Sequence, residues 1–227
     1  MRTLAFALSL VGLVVPLAAC GGAASLEGVA SAAEKVEQAR TVRFAFSWDE
    51  PKSGSGEGAI DLANERFSLR MQLDEAAGDV VSGTVEMMFV DGAIYMKNPE
   101  FASLTDKPWV KLEGPTGTVA LPDSAQALDV LRSGVDFEEV GRADVRGVPT
   151  THYRGTISND ANRITPAGSV LDAWVDEQGY PRKMSFVDGE ATATIEFYDF
   201  GADVNIEAPS PEETATMTDL GMQEDSK

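Results

Sequence analysis

The chain has 227 residues, of which 37 are acidic and 18 basic, and its formal net charge is −19. This balance excludes nucleic acid as an expected partner, because affinity for nucleic acid depends largely on Lys and Arg side chains that meet phosphates. With one cysteine and one histidine, the chain can form no internal disulfide and offers few zinc or copper ligands, so we expect no metal site.

The N-terminus has the anatomy of a secretory signal peptide. Arg2 precedes an uncharged apolar segment at residues 4–17, and the small residues Ala18 and Ala19 follow it. The apolar segment is shorter than the roughly 20 residues that a membrane-spanning helix needs. We therefore predict that residues 1–19 are a cleaved signal peptide.

The sole cysteine, Cys20, ends the stretch LAAC and is followed by a glycine. This stretch resembles the lipobox of bacterial lipoproteins, in which the signal is cut before the cysteine and a diacylglycerol is attached to its sulfur. We predict that Cys20 carries this lipid, that residues 20–24 are a lipidated tether, and that the protein lies on the extracytoplasmic face of the cell membrane. The alternative is a secreted protein whose cysteine lies near its cleavage site by chance.

The first folded segment after the tether is a predicted helix. Residues 25–40 place apolar side chains at helical spacing, namely Leu26, Val29, Ala33 and Val36. From there on, strand patterns dominate, beginning with the alternating segment TVRFAFSW. The stretch PKSGSGEG predicts a flexible turn, and GAIDLANERFSLRMQL predicts a hairpin about Asn64 and Glu65.

An Asp-Gly pair at residues 91–92 is a strong signal for a two-residue hairpin turn. It places Phe89 opposite Ile94 and Met87 opposite Met96. These four side chains therefore share one face of the predicted sheet.

A second Asp-Gly pair, at residues 188–189, predicts another hairpin. It places Phe186 opposite Ala191 and Met184 opposite Ala193. This second set of residues is again apolar and lies on one face.

The turn about residues 178–179 pairs Val175 with Arg182. Together the three turns predict one apolar face and one wet face, as an antiparallel sheet permits. Trp174 falls on the predicted wet face. His152 falls in a predicted strand without a nearby nucleophile. We expect structural roles for both, with packing favoured over a partner surface for Trp174.

Residues 121–134 predict a short helix, and further strands follow it. From residue 208 onward the chain is polar and aperiodic. We therefore assign residues 25–207 to one domain of about 180 residues and residues 208–227 to a disordered acidic tail.

About ten strands at a spacing of roughly 4.8 Å make a sheet too wide for the two predicted helices to cover. The uncovered apolar face must curl on itself, be covered by loops or face a ligand, and its Met and Phe side chains suit irregular, adaptable space. The alternative is a closed, packed core. The candidate ligand-binding residues on this face are Phe44, Phe46, Leu69, Met71, Met87, Phe89, Ile94, Met96, Val175, Met184, Phe186, Ile195 and Phe197.

The order and character of these segments resemble the LppX/LprG lipoproteins of actinobacteria and, more broadly, the LolA-like carriers. The resemblance covers residues 36–200, and its most specific segments are GVPTTHY and WVDEQGYPRK. It implies an α+β fold: a curved antiparallel β-sheet, or half-barrel, with helices over the concave apolar face. It also implies a cavity for acyl chains and a role in moving a lipid or lipoglycan within the cell envelope. The acidic tail is not part of the resemblance.

No hydrolase, metalloprotease, P-loop or dinucleotide-binding motif is present in the sequence, so we expect no enzyme, no catalytic residue and no cofactor. The expected partners are a lipid or lipoglycan, the membrane through the lipid on Cys20, and an envelope transporter or acceptor protein. Two alternatives remain open. One is an envelope sensor or adaptor that binds a protein or peptide, and the other is a structural lipoprotein with a closed core.

Overall fold

The computed structural model describes residues 24–49, 53–73, 83–112, 135, 137–157 and 168–221. The predicted signal peptide, the site of lipidation and the predicted helix at 121–134 lie outside the described residues.

The described chain forms one α-helix, two short 3₁₀ segments and twelve β-strands. The helix α1 spans Ala24–Ala39, and the 3₁₀ segments span Pro99–Ser103 and Pro211–Glu213. The strands are β1 Thr41–Trp48, β2 Gly54–Asp61, β3 Arg66–Leu73, β4 Gly83–Val90, β5 Ala93–Lys97, β6 Trp109–Leu112, β7 Glu138–Val145, β8 Val148–Thr156, β9 Val170–Asp176, β10 Pro181–Asp188, β11 Ala191–Tyr198 and β12 Thr214–Thr216.

All twelve strands belong to one sheet in the order β12-β6-β5-β4-β3-β2-β1-β11-β10-β9-β8-β7. Every neighbouring pair is antiparallel except β12 and β6, which are parallel. In the described part of the chain the sheet does not close, because β12 and β7 are its two edges. This arrangement confirms the predicted fold class, an α+β half-barrel.

Helix α1 packs on one face of the sheet, against β1, β7, β9 and β10. The side chains it buries follow helical spacing and are at most 1% exposed, namely Val29, Ala32, Ala33 and Val36. The helix ends where Arg40 adopts a left-handed conformation with φ of 68°, as is common just after a helix terminus.

The predicted hairpin at residues 91–92 is confirmed. Asp91 and Gly92 both have positive φ, at 52° and 78°, which is the conformation of a type I′ turn. Phe89 pairs with Ile94, and Met87 pairs with Met96.

The predicted register of the next hairpin is wrong by two residues. Phe186 pairs with Ala193 instead of Ala191, and Met184 pairs with Ile195 instead of Ala193. The reason is that Gly189, with φ of 63°, occupies the first loop position, as a type II′ turn favours. Because the shift is an even number, the apolar residues stay on their predicted face.

The turn before β10 also differs from the predicted pairing of Val175 with Arg182. Val175 pairs with Pro181, and Arg182 is the extra residue of a bulge before Lys183 pairs with Trp174. A bulge adds one residue to one strand and so restores the expected alternation beyond it.

The stretch PKSGSGEG is not a turn throughout. Residues 54–58 form the start of β2 and pair with both β1 and β3. Glycine alone disfavours a strand interior, but here Gly54, Gly56 and Gly58 lie opposite Trp48, Phe46 and Phe44. The aromatic rings replace the packing that the glycines lack.

The predicted disordered tail is wrong for residues 208–221; residues 222–227 lie outside the described part. The segment beyond β11 crosses the face of the sheet opposite α1, where Ile206 is 4% exposed and packs with Ala59 and Val90. Further along, the Lys107 ammonium group donates a 2.8 Å hydrogen bond to the carbonyl of Thr214, and β12 pairs with β6.

This packing predicts that Ile206→Ala lowers the free energy of unfolding by about 2–4 kcal/mol, because it removes a buried aliphatic side chain. Urea denaturation measures the change. The control is Glu207→Ala, at an exposed neighbouring position, which we expect to leave stability unchanged within about 0.5 kcal/mol. Equal stability of the two variants would show that the C-terminal segment does not pack on the sheet.

Candidate functional site

The candidate residues form rows that cross the sheet at right angles to its strands. The first row runs from β11 to β5 through directly paired positions, namely Phe197, Phe44, Gly58, Leu69, Met87 and Met96. Side chains in such a row point to the same face. This face is the one that packs against α1, because Phe44, Leu69 and Phe197 belong to the same buried cluster as Val36.

A second row lies one pleat away and begins on β9. It contains Ala173, Met184, Ile195, Phe46, Gly56 and Met71. Phe186 lies beyond this row and pairs with Leu171, whereas Phe89 and Ile94 extend the face on β4 and β5. Val175 completes the predicted set on β9. All the candidate residues therefore lie on the face predicted for them; whether they bind a ligand stays a prediction.

Burial divides the candidate residues into two groups. The buried members are Phe44, Leu69, Ile94, Val175, Met184 and Phe197. The half-buried members are Phe46, Met71, Met87, Phe89, Met96, Phe186 and Ile195. Apart from Met96, the half-buried members pack against the cluster that α1 helps to form. A continuous apolar surface thus extends from the covered part of the sheet to a part that remains accessible.

Several residues of this face were missing from the predicted set. Phe67 is 9% exposed and stacks on Phe44, with ring centroids 5.9 Å apart. Trp48 stacks on Phe46 at 5.4 Å and with an interplanar angle of 5°. Both residues continue the alternation of their strands, so strict alternation alone could have identified them.

Tyr153 places a hydroxyl group on the face against which α1 packs. The residue is 9% exposed and belongs to the core cluster under α1. Burial is the main cause that raises the pKa of its phenol, and the charge of Glu139 adds to the effect. The hydroxyl therefore stays protonated and can donate a hydrogen bond within the core.

The opposite face of the sheet carries an ordered polar cluster centred on Asp172. Arg154 donates hydrogen bonds of 2.8 and 3.1 Å to the two carboxylate oxygens. His152 Nε2 lies 2.6 Å from Asp172 Oδ1, and because an ionised carboxylate only accepts hydrogen bonds, this nitrogen carries the hydrogen. Burial raises the pKa of Asp172, but the hydrogen bonds from Arg154 and His152 outweigh it and hold the pKa below 3.8.

Trp174 belongs to the same cluster. Its ring stacks on His152 at 4.2 Å and an angle of 8°, and the Lys183 ammonium group lies 4.8 Å above it. Trp174 thus packs against His152 and not under a loop, and the preference for packing over a partner surface stays a prediction. The histidine has a structural setting and faces away from the apolar side.

Two grooves of about 560 and 280 Å³ lie on this polar face. Their linings include Arg43, Glu57, Arg70, Glu86 and Glu196, whose neighbours along each strand point to the apolar side. The linings also include Phe46, Met71, Leu69 and Met87, so the grooves adjoin the strand positions that carry candidate residues.

The described residues contain no group of three or more His, Cys, Asp or Glu side chains able to hold a metal ion. In the same part of the chain, no helix has both the length and the apolar character needed to cross a bilayer.

The fold is an open half-barrel of the LppX/LprG type. LprF from Mycobacterium bovis is similar with a TM-score of 0.64 and 14% identity, over 82% of this chain and 97% of that structure. The lipoprotein LppX from Mycobacterium tuberculosis is similar with a TM-score of 0.57 and 14% identity, over 81% of this chain and 98% of that structure. At this level of identity the similarity establishes the fold.

No protein-family model matches the chain. An uncharacterized 31.2 kDa protein from the rplA-rplJ intergenic region of Streptomyces griseus is 26% identical over 206 residues, covering 72% of this chain and 65% of the relative. The chain thus spans less than two thirds of the length of this curated relative.

The Asp172 cluster gives a pH prediction. Because its folded-state pKa is lowered, the ionised carboxylate contributes stability that is present above the unfolded pKa of 3.8 and is lost as pH falls through the lower folded pKa. We expect Asp172→Asn to lower the free energy of unfolding by about 1–3 kcal/mol at pH 7.

The difference between wild type and Asp172→Asn should shrink below about pH 4, as urea unfolding at several pH values will reveal. Asp144→Asn, at an exposed position on the edge strand β7, is the matched control and should cost less than about 0.5 kcal/mol. A difference for Asp172→Asn that persists undiminished at pH 2 would contradict the proposed role of the carboxylate charge.

Proposed function

We propose that this protein is a membrane-anchored lipoprotein that binds a lipid or lipoglycan on the apolar face of its sheet and carries it within the cell envelope. The observation that carries the proposal is the accessible apolar surface formed by Phe46, Met71, Met87, Phe89 and Phe186. It is continuous with the buried core and lies opposite a charged face.

The physical driving force for such binding is the removal of apolar surface from water. Each Å² buried contributes about 25 cal/mol, so one hydrocarbon chain laid along several half-buried side chains gains several kcal/mol. Methionine suits this role because its flexible thioether adapts to partners of varied shape. The polar headgroup stays at the mouth of the site, since the described apolar face offers it few polar partners.

The net charge of −19 also constrains how the protein meets a membrane. An acidic surface is repelled by anionic headgroups, so attachment depends on the acyl chains proposed for Cys20. Two or more such chains give durable anchoring, which a single chain does not. Release of the carried lipid would then occur to a membrane or an acceptor protein nearby.

The first test is lipid extraction and native mass spectrometry of residues 21–227, directed to the native envelope by a separate secretion signal. This form lacks Cys20, so any lipid found is bound noncovalently. We expect a copurified lipid in the wild type and its loss in Met71→Trp, where a bulky ring fills the half-buried apolar surface.

Gln72→Trp is the matched control, because Gln72 is the next residue of the same strand and is exposed on the opposite face. It should retain the lipid, and circular dichroism should show that both variants fold. A mass free of lipid in the wild type would refute the carrier proposal. A protein partner copurified in its place would support the alternative of an envelope sensor or adaptor.

A further inference from the structure

Two neighbouring rows of directly paired residues cross the polar face of the sheet, opposite the candidate lipid site. Residues of one row point to the same face. The first row is mostly charged and contains Lys97, Glu86, Arg70, Glu57, Ala45 and Glu196. The second row carries hydroxyl and amide groups and contains Thr84, Gln72, Ser55, Ser47 and Thr194.

The groove of about 560 Å³ lies where these two rows cross β3, β2, β1 and β11. The small residues Ala45, Ser47 and Ser55 form a low floor on β1 and β2. Larger side chains border this floor on both sides, namely Arg70 and Gln72 on β3 and Thr194 and Glu196 on β11. Phe46 and Met71 also line the groove, but each lies between two polar-face residues of its strand, so its side chain points to the opposite face.

Several polar groups in this groove have no partner within the described part of the chain. There, the side chains of Ser47, Ser55, Glu57 and Arg70 form no hydrogen bond and no ion pair. Gln72 accepts a 2.9 Å hydrogen bond from Thr84 through Oε1, which orients the amide and leaves its NH₂ group to donate. The groove therefore presents hydrogen-bond donors and acceptors side by side.

The charges in the groove disfavour a ligand with a net charge of either sign. Arg70 is paired with Glu57 on one side and with Glu86 on the other. An anion bound by Arg70 would meet these carboxylates, and a cation bound by Glu57 would meet Arg70. A neutral molecule rich in hydroxyl groups avoids both conflicts, because each hydroxyl can donate to a carboxylate and accept from a guanidinium group.

We propose that this groove binds a neutral oligosaccharide. Adjacent hydroxyl groups of a sugar ring match the two oxygens of the Glu57 carboxylate and the several N–H groups of Arg70. The groove volume lies within the range of about 300–1,000 Å³ that is typical of small-ligand sites. The inference goes beyond the proposed function and does not depend on it, because the groove and the candidate lipid site lie on opposite faces.

The first experiment is a proton–nitrogen NMR titration of residues 21–227 with three neutral tetrasaccharides: maltotetraose, mannotetraose and N-acetylchitotetraose. We expect at least one of them to shift the backbone amide signals of Ser47 and Ser55 and the side-chain NH₂ signals of Gln72. Tetragalacturonate, an acidic tetrasaccharide, should bind at least about tenfold more weakly, because Glu57 and Glu196 repel its carboxylates.

Arg70→Gln should weaken binding of the neutral sugar about tenfold, as expected for the loss of hydrogen bonds from a charged group. Arg142→Gln is the matched control, because Arg142 is likewise exposed but lies on the edge strand β7. It should bind the sugar as the wild type does.

Ser55→Trp provides a second variant, in which a ring fills the floor of the groove. Ser55 is exposed and tryptophan suits a strand, so the sheet should persist. We expect this variant to lose sugar binding and to keep the copurified lipid, since only the polar face is changed.

Absence of shifts with all three neutral sugars would overturn the proposal. So would shifts that persist unchanged in both Arg70→Gln and Ser55→Trp, or tighter binding of tetragalacturonate than of the neutral sugars. None of these results would bear on lipid binding, which is measured separately by extraction and native mass spectrometry.

Discussion

The close approach of backbone and aromatic rings along β2 is the constraint on which the arrangement of the sheet depends. Gly56 and Gly58 leave no room for a side chain between the rings of β1 and the carbonyl oxygens of β3. Glycine in a strand interior marks such close approaches and bends. β2 lies near the middle of the strand order, in regular register with both of its neighbours. The rings lie on the face against which α1 packs.

Strict alternation along each strand then places two kinds of side chain on the two faces of the sheet. Aromatic and aliphatic residues follow one parity, and charged residues such as Arg70 and Glu196 follow the other. The bulge after Pro181 does not break this separation. Val175 pairs with Pro181, one residue earlier than the alternation requires, and the extra residue of the bulge restores the alternation. At the edges, β12 covers β6, whereas β7 is exposed and displays charged residues that discourage pairing with another chain. The polar face can therefore meet solvent while the apolar residues stay on the face against which α1 packs.

The sequence predicted most of this sheet because the signals involved are local. The turn at Asp91 and Gly92 fixed its register through the backbone conformation of two residues, and alternation placed the candidate residues on one face. The turn at Gly189 was misplaced by one residue, which shifts the pairing by two, because an Asp-Gly pair suits both of the adjacent turn positions. The start of β2 and the packing of Ile206 were missed for a different reason. The residues that stabilise them lie on other strands. The local sequence of a glycine-rich or polar segment does not show which distant residues it will contact.

A sheet with one apolar face must hide that face, and among the described residues α1 hides only part of it. Where α1 packs, the side chains at the interface are buried, and this part of the apolar face contributes to the stability of the fold. Away from the helix, Phe46, Met71 and Met87 keep part of their surface accessible. At Gly54, Gly56 and Gly58 the rings of β1 occupy the space in which a side chain would lie, so these rings supply the apolar surface of the three positions. The half-buried residues beyond α1 are therefore the part of this face on which the proposed ligand site depends.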